Sequence, residues 1–377
     1  MLTIENKLTQ VDDLLERMTK GLQLDKSRYG RMIQSYEAVK NWIDDDEVFF
    51  KPFRYDVYPH GSVRTGTTVK PFGSFEFDLD IVIHLLPGSI THTPARIYAE
   101  LKRRLLEHGT YKEMIELKNR CIRLNYAGDF HMDILPGVQE SQWDNNRLKV
   151  PDRDLNAWVS SNPRGHADWF LQRANTVNKT TLKRTLMAEN LPVDDFDNKK
   201  PLQCGVQLIK RYRDLYFLKD DTYKTSSIII TTLCGQLYTG EDSIFGTIDA
   251  IISKIISQVR ISSGCIKVLN PVNADEDFTD KWEAEPAYYT AFKNFSEYLY
   301  VQWQKLKGNH GVIEESLVMK SLFGEDVVVR AQTQQTEAFE NLRKQNALGV
   351  NRNTGAVVAA TSLLSNPIKK INTFFGD

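Results

Sequence analysis

The chain has little cysteine, almost no net charge and no long apolar run. Its 377 residues include four cysteines, Cys121, Cys204, Cys234 and Cys265, far apart and never in a Cys-x-x-Cys pair. That spacing excludes a zinc ribbon and a disulfide framework and leaves reduced thiols as the reading. Lys and Arg total 48 against 49 Asp and Glu, a net charge of −1, so no global basic field gathers long nucleic acid. No apolar stretch approaches the ~20 residues of a membrane span, and the N-terminus lacks a basic-then-apolar signal, so a cytoplasmic protein is expected. With 41% hydrophobic residues, the chain can bury one large core or two coupled lobes.

Chemistry is concentrated in residues 56–84. Phe77-Asp78-Leu79-Asp80-Ile81-Val82-Ile83 alternates and is rich in β-formers, so it reads as a strand. Residues two apart on a strand share a side, which puts Asp78 and Asp80 on one face and Phe77, Leu79 and Ile81 on the other. Adjacent carboxylates repel each other unless a cation lies between them, and a hard ion such as magnesium takes oxygen ligands. Upstream, Gly61-Ser62 forms a turn where backbone can approach a phosphate. A helix opening at Val63 would aim free amides at the same place. Phosphate cradle, then Asp-x-Asp, is the order of a nucleoside triphosphate site with its metals.

Residues 120–135 read as a hairpin turning at Gly128-Asp129. Its second strand carries Asp133 among apolar neighbours. A buried aspartate needs a partner, and a metal shared with Asp78 and Asp80 is the expected one.

Several stretches together resemble the polymerase β-like nucleotidyltransferases, and among them the bacterial cyclic GMP-AMP synthase/DncV-like family (CD-NTases), oligonucleotide cyclases of the CBASS anti-phage systems. They are His60-Gly61-Ser62-Val63-Arg64-Thr65-Gly66-Thr67, Phe77-Asp78-Leu79-Asp80, Phe130-His131-Met132-Asp133-Ile134-Leu135-Pro136 and Ser161-Asn162-Pro163-Arg164-Gly165. Residues 207–214 and 226–233 add to them, so the resemblance runs from about residue 40 to about 325. It implies an α/β (α+β) fold, a nucleotidyltransferase core with a mixed sheet plus a C-terminal helical lobe. It implies Asp78, Asp80 and Asp133 as catalytic ligands of two Mg2+ ions, with Mn2+ as the substitute. Gly61 and Ser62 would hold the donor triphosphate, reached from the helical lobe by Lys210 and by Ser226 or Ser227. The implied activity is template-free joining of nucleoside triphosphates, ATP among them, into a cyclic di- or trinucleotide for antiviral signalling. A nucleotidyltransferase acting on an RNA end or a protein is the alternative; near-zero net charge speaks against it. A scaffold that has lost its chemistry is disfavoured because all three carboxylates are present. Long nucleic acid is not expected as an obligatory partner.

The rest of the chain divides into segments. Residues 3–45 carry helical spacing and are expected to form a spine against the catalytic sheet, with residues 1–150 as catalytic core. Residues 94–108 read as a further amphipathic helix. From about 150 the pattern turns helical, beginning at 155–159, with Asn162-Pro163 as a helix break. Residues 151–325 form the expected helical lobe. Residues 189–200 read as an exposed loop and 201–218 as a helix whose Val206, Ile209, Lys210 and Arg213 face the cleft. Residues 226–238 suit strand or buried helix by pattern; the resemblance says helix. Helices are expected over 244–262, 286–306 and 312–322, the aromatics of the second serving as core. Residues 326–377 are expected as a tail, loosely helical to 346 and then without a sustained period. Phe374 and Phe375 near its end suggest a docking peptide. A ubiquitin-transfer-like conjugating enzyme or a regulatory protein is the partner implied there, although Asp377 stands where such enzymes take Gly or Ala.

Overall fold

The computed structural model describes residues 4–73, 76–86, 92–154, 156–176, 199–308 and 311–345, and three short strands beyond them. Most of the loop expected at 189–200 lies outside these residues, as does Asn372 to Asp377.

Two helices open the chain, α1 (Ile4–Gly21) and α2 (Lys26–Asp44), the second capped by Asp25, whose side chain accepts from the Arg28 amide. Strand β1 (Tyr55–His60), helix α3 (Gly61–Thr65) and β2 (Phe77–Leu85) follow, then α4 (Pro94–Leu106). Strands β3 (Ile115–Leu117), β4 (Ile122–Tyr126), β5 (Phe130–Ser141), β6 (Asp144–Asp152) and β7 (Ala157–Ser161) complete a seven-stranded sheet. Its main path is β1-β2-β5-β4-β3, with β6 between β5 and β7. β2 and β5 run parallel and the other pairs antiparallel, so the sheet is mixed.

The β2 alternation is realised. Phe77, Leu79, Ile81, Ile83 and Leu85 are buried in one cluster with Met32, Tyr36, Val39 and Ile43 of α2 and Ile97, Leu101 and Leu105 of α4. Burying those apolar faces frees the other side of β2 for Asp78 and Asp80.

The remaining helices are α5 (Pro163–Ala174), α6 (Pro201–Tyr216), α7 (Ser227–Leu237), α8 (Ile244–Ile261), α9 (Asp280–Ala284), α10 (Pro286–Lys307), α11 (Val312–Phe323) and α12 (Glu325–Lys344). A two-stranded hairpin, β8 (Leu269–Asn270) and β9 (Asn273–Asp277), turns at Pro271-Val272, as its Asn-Pro sequence suggests. α7 is helical despite its β-branched run. It is buried nearly all round, from Ile229 to Gly235, and packing outweighs propensity there. Tyr289, Phe292 and Phe295 of α10 are core, as expected; Tyr298 is exposed.

Three expectations change. α1 does not lie on the sheet: Val11, Leu14, Leu15, Met18 and Leu22 are buried with α6, α8 and α12 in the helical cluster. Gln335 on α12 ties the two helices by donating to the Gln10 carbonyl at 3.1 Å and to Asp13 at 2.8 Å. Only α2 serves as the spine. Second, 157–161 is strand β7, paired with β6, not the start of a helix. Asn162 then caps α5, its Oδ1 accepting from the Gly165 amide at 2.9 Å, and Pro163 occupies the first turn. The proline opens a helix because its missing N–H costs nothing there. Third, order continues past 326. Val327, Val328 and Ala331 of α12 are buried, and Leu348–Asn351, Val357–Ala359 and Ser365–Pro367 form a three-stranded antiparallel sheet. Among the described residues no helix is long and apolar enough to cross a membrane.

Candidate active site

Strand β1 delivers the chain into α3 at Gly61, whose φ is +59°. A Cβ there would lie 2.0 Å from Asp80 Oδ2, so no other residue fits without moving the carboxylate. His60 pairs with Asp80 across β1 and β2, which explains the closeness. Ser62 follows, its Oγ 3.1 Å from the Thr68 hydroxyl.

Asp80 lies in register with Asp133 on β5, because β2 and β5 are parallel neighbours. Three carboxylates therefore share one patch of sheet. Burial pushes Asp80 well above the ordinary carboxylate range, and repulsion from Asp78 and Asp133 pushes further. Asp78 is raised too, mainly by burial, with Arg123 opposing. Its side chain is 56% exposed at the cleft mouth, so water relieves it more than Asp80.

Arg123 of β4, in register with Asp133, is one of the residues that the motifs did not reveal. Its Nε and Nη2 donate to the two oxygens of Asp133 at 2.7 and 2.8 Å, and Nη2 also reaches Asp78 at 3.2 Å. The hairpin carried the signal, since a turn centred on Gly128 puts 123 opposite 133.

The helical lobe supplies the opposite charge. On α6, Gln203, Gln207 and Lys210 form a row that grips the end of α3 and the segment after it. Gln203 Nε2 donates to the Thr65 carbonyl at 2.9 Å and Gln207 Nε2 to that of Thr68 at 2.6 Å. Lys210 Nζ donates to Thr67 Oγ1 at 2.9 Å. Burial, helped by Arg213, pulls the Lys210 pKa down to about 7. Val206 and Ile209 do not face the cleft; they are buried in the lobe's own core. Arg213 pairs with Asp214 and donates to the Ser227 hydroxyl, and Lys224 reaches Asp214 at 2.8 Å.

All eight residues singled out in the sequence line one cleft of about 600 Å³: Gly61, Ser62, Asp78, Asp80, Asp133, Lys210, Ser226 and Ser227. That volume suits a nucleotide. The cleft also includes Arg213 of α6 and Lys224 of the α6–α7 connection, so carboxylates from the sheet face cations from the helical lobe. As the side chains stand, the described residues hold no group of three His, Cys, Asp or Glu gathered around an ion position. Arg123 supplies the positive charge between Asp133 and Asp78. The donor set nevertheless fits a hard divalent cation: three carboxylates on neighbouring strands, one of them so desolvated that it resists ionising without a counter-charge.

The description "Second Messenger Oligonucleotide or Dinucleotide Synthetase domain" matches residues 8–175. A "c-di-GMP synthase" of Roseivirga ehrenbergii is 40% identical over the whole of both chains. The chain belongs to the CD-NTase family. A "cyclic dinucleotide synthase CdnG" of Bradyrhizobium diazoefficiens is 22% identical, covering 93% of this chain and 89% of the relative. The structure of that organism's CD-NTase CdnG in complex with GTP superposes with a TM-score of 0.70, at 19% identity, over 86% of this chain and 98% of the other. The CD-NTase is thus a nucleotidyltransferase of the cyclic oligonucleotide synthase class, and its α/β core with a helical lobe is the fold that its sequence led us to expect.

Proposed function

We propose that this CD-NTase joins two molecules of GTP into cyclic di-GMP, a second messenger of anti-phage signalling made in the cytoplasm. The observation that carries the reading is the single cleft in which sheet carboxylates face helix cations around Gly61-Ser62. The choice of GTP is supported by the 40%-identical relative described as a c-di-GMP synthase.

In this reading Gly61, Ser62, Lys210 and Ser226 or Ser227 hold the β- and γ-phosphates of the donor. Asp78, Asp80 and Asp133 would hold two magnesium ions, which when bound would offset the charge on the triphosphate and acidify the acceptor hydroxyl. A ribose hydroxyl oxygen of the acceptor forms a bond to the donor α-phosphorus. The bond from that phosphorus to the β-phosphate bridge oxygen breaks, pyrophosphate leaves, and the hydroxyl proton passes to water. Repeating the transfer within the linear intermediate closes the ring and releases a second pyrophosphate. Lys210, Arg213 and Lys224 steady the leaving pyrophosphate, so positioning and charge compensation carry the catalysis.

Incubation with the four nucleoside triphosphates and magnesium, followed by mass spectrometry, tests the reading. The expected product is a phosphatase-resistant cyclic di-GMP. Nucleotide transfer only to an added RNA or protein would overturn it.

A further inference from the structure

Glu276 lies near the end of β9 and Phe278 in the turn just beyond it, and both line the cleft. The Glu276 carboxylate is held by three elements. Oε1 accepts from the Ser161 hydroxyl at 2.8 Å, and Oε2 from the Asn162 amide at 3.0 Å and from Asn270 Nδ2 at 2.6 Å. All three donors are neutral, and among the described residues no cation pairs with this carboxylate. Its orientation is therefore set before any ligand arrives, and Oε1 keeps acceptor capacity.

A carboxylate repels phosphate, so it does not belong with the triphosphate, which Lys210, Arg213 and Lys224 attract. It belongs with the base. Phe278, half-buried with His166 against its edge at 5.7 Å, adds an aromatic surface beside it. A ring to stack on and an acceptor for the base edge are the usual parts of a base-reading pocket. Guanine presents N1–H and N2–H2 side by side, both donors. Adenine presents an acceptor at N1, which faces a carboxylate unfavourably.

We propose that Glu276, beside Phe278, selects guanine in this cleft by accepting from its N1–H and N2–H2 edge. The inference rests on the cleft being a nucleoside triphosphate site.

The test is equilibrium binding of non-hydrolysable GTP, ITP and ATP analogues to the full chain, wild type and Glu276→Gln. ITP keeps N1–H and lacks the N2 amino group. Wild type should bind GTP more tightly than ITP and more tightly still than ATP. In Glu276→Gln the GTP preference over ATP should fall by about ten- to hundredfold, and the gap between GTP and ITP should close. A purely structural staple would weaken all three alike. Equal binding of GTP and ITP to wild type, or an unchanged gap in the variant, overturns the proposal. Should Glu276→Gln not fold, Glu276→Asp, which keeps the charge and withdraws the acceptor, is read for the same gap. A wild type that shows the gap yet makes no cyclic product defeats the proposed function and leaves the role of Glu276 standing.

Discussion

Arg123 forks onto both oxygens of Asp133, at 2.7 and 2.8 Å, and the same side chain reaches Asp78 at 3.2 Å. The hydrogen bond to Asp133 is the main reason why its own pKa is raised. A guanidinium thus occupies the electrostatic role that the acids would otherwise give to an ion.

Replacing Arg123 with Gln leaves Asp133 without its main counter-charge. Loss of this charge-assisted pair should cost about 1–3 kcal/mol in divalent-free buffer. Added Mn2+ should then raise the unfolding temperature more in the variant than in wild type, since the ion no longer competes with a guanidinium. Thermal unfolding with and without Mn2+ measures this; equal shifts would contradict the competition.

Asp80→Asn should abolish cyclic product, by about a thousandfold or more, while stabilising the protein without metal. The sign follows from linkage. A carboxylate whose native pKa is raised loses stability as pH climbs from its unfolded value of about 3.9 towards the native one. The variant's advantage should grow over that window and vanish below it, which denaturant titrations across pH would reveal.

Gly61→Ala should lose activity even though it adds one methyl group. The left-handed backbone costs about 1–3 kcal/mol for a residue with a side chain, and the new Cβ would displace Asp80. Product assay and thermal unfolding together test it. Activity near wild type would mean that Asp80 can move without penalty.

Triphosphate affinity should weaken as pH rises above about 7, where free Lys210 loses its proton. Binding must then restore that proton, at up to about tenfold in affinity for each pH unit. Lys210→Arg stays charged and should flatten the profile over pH 7 to 9. A slope that persists in the variant would assign the dependence to another group.

Much of the cleft was legible because it is built from short periods. Alternation in 77–83 puts Asp78 and Asp80 on one side, and the hairpin about Gly128 sets Asp133 into an apolar strand. The error at 155–162 arose because a five-residue strand and a helix start look alike over so few residues, and Asn-Pro can end one helix or begin another. The same brevity hid Arg123, which in the sequence is only a polar residue alternating with Ile122 and Leu124.

Local pattern alone determined which faces are apolar, where the acids cluster and where the backbone must turn at glycine, since these depend on neighbours a few residues away. Only the tertiary structure decided what each face meets. The stripe on α1 would suit the sheet as well as the helices, and α12, more than 300 residues later, claims it. Pairing Asp80 with Asp133 needed two strands brought side by side, and fixing Glu276 needed β7, α5 and β8 together. Apolar attraction has no direction, so periodicity names the buried side but not its partner; that choice belongs to the packing of the whole chain.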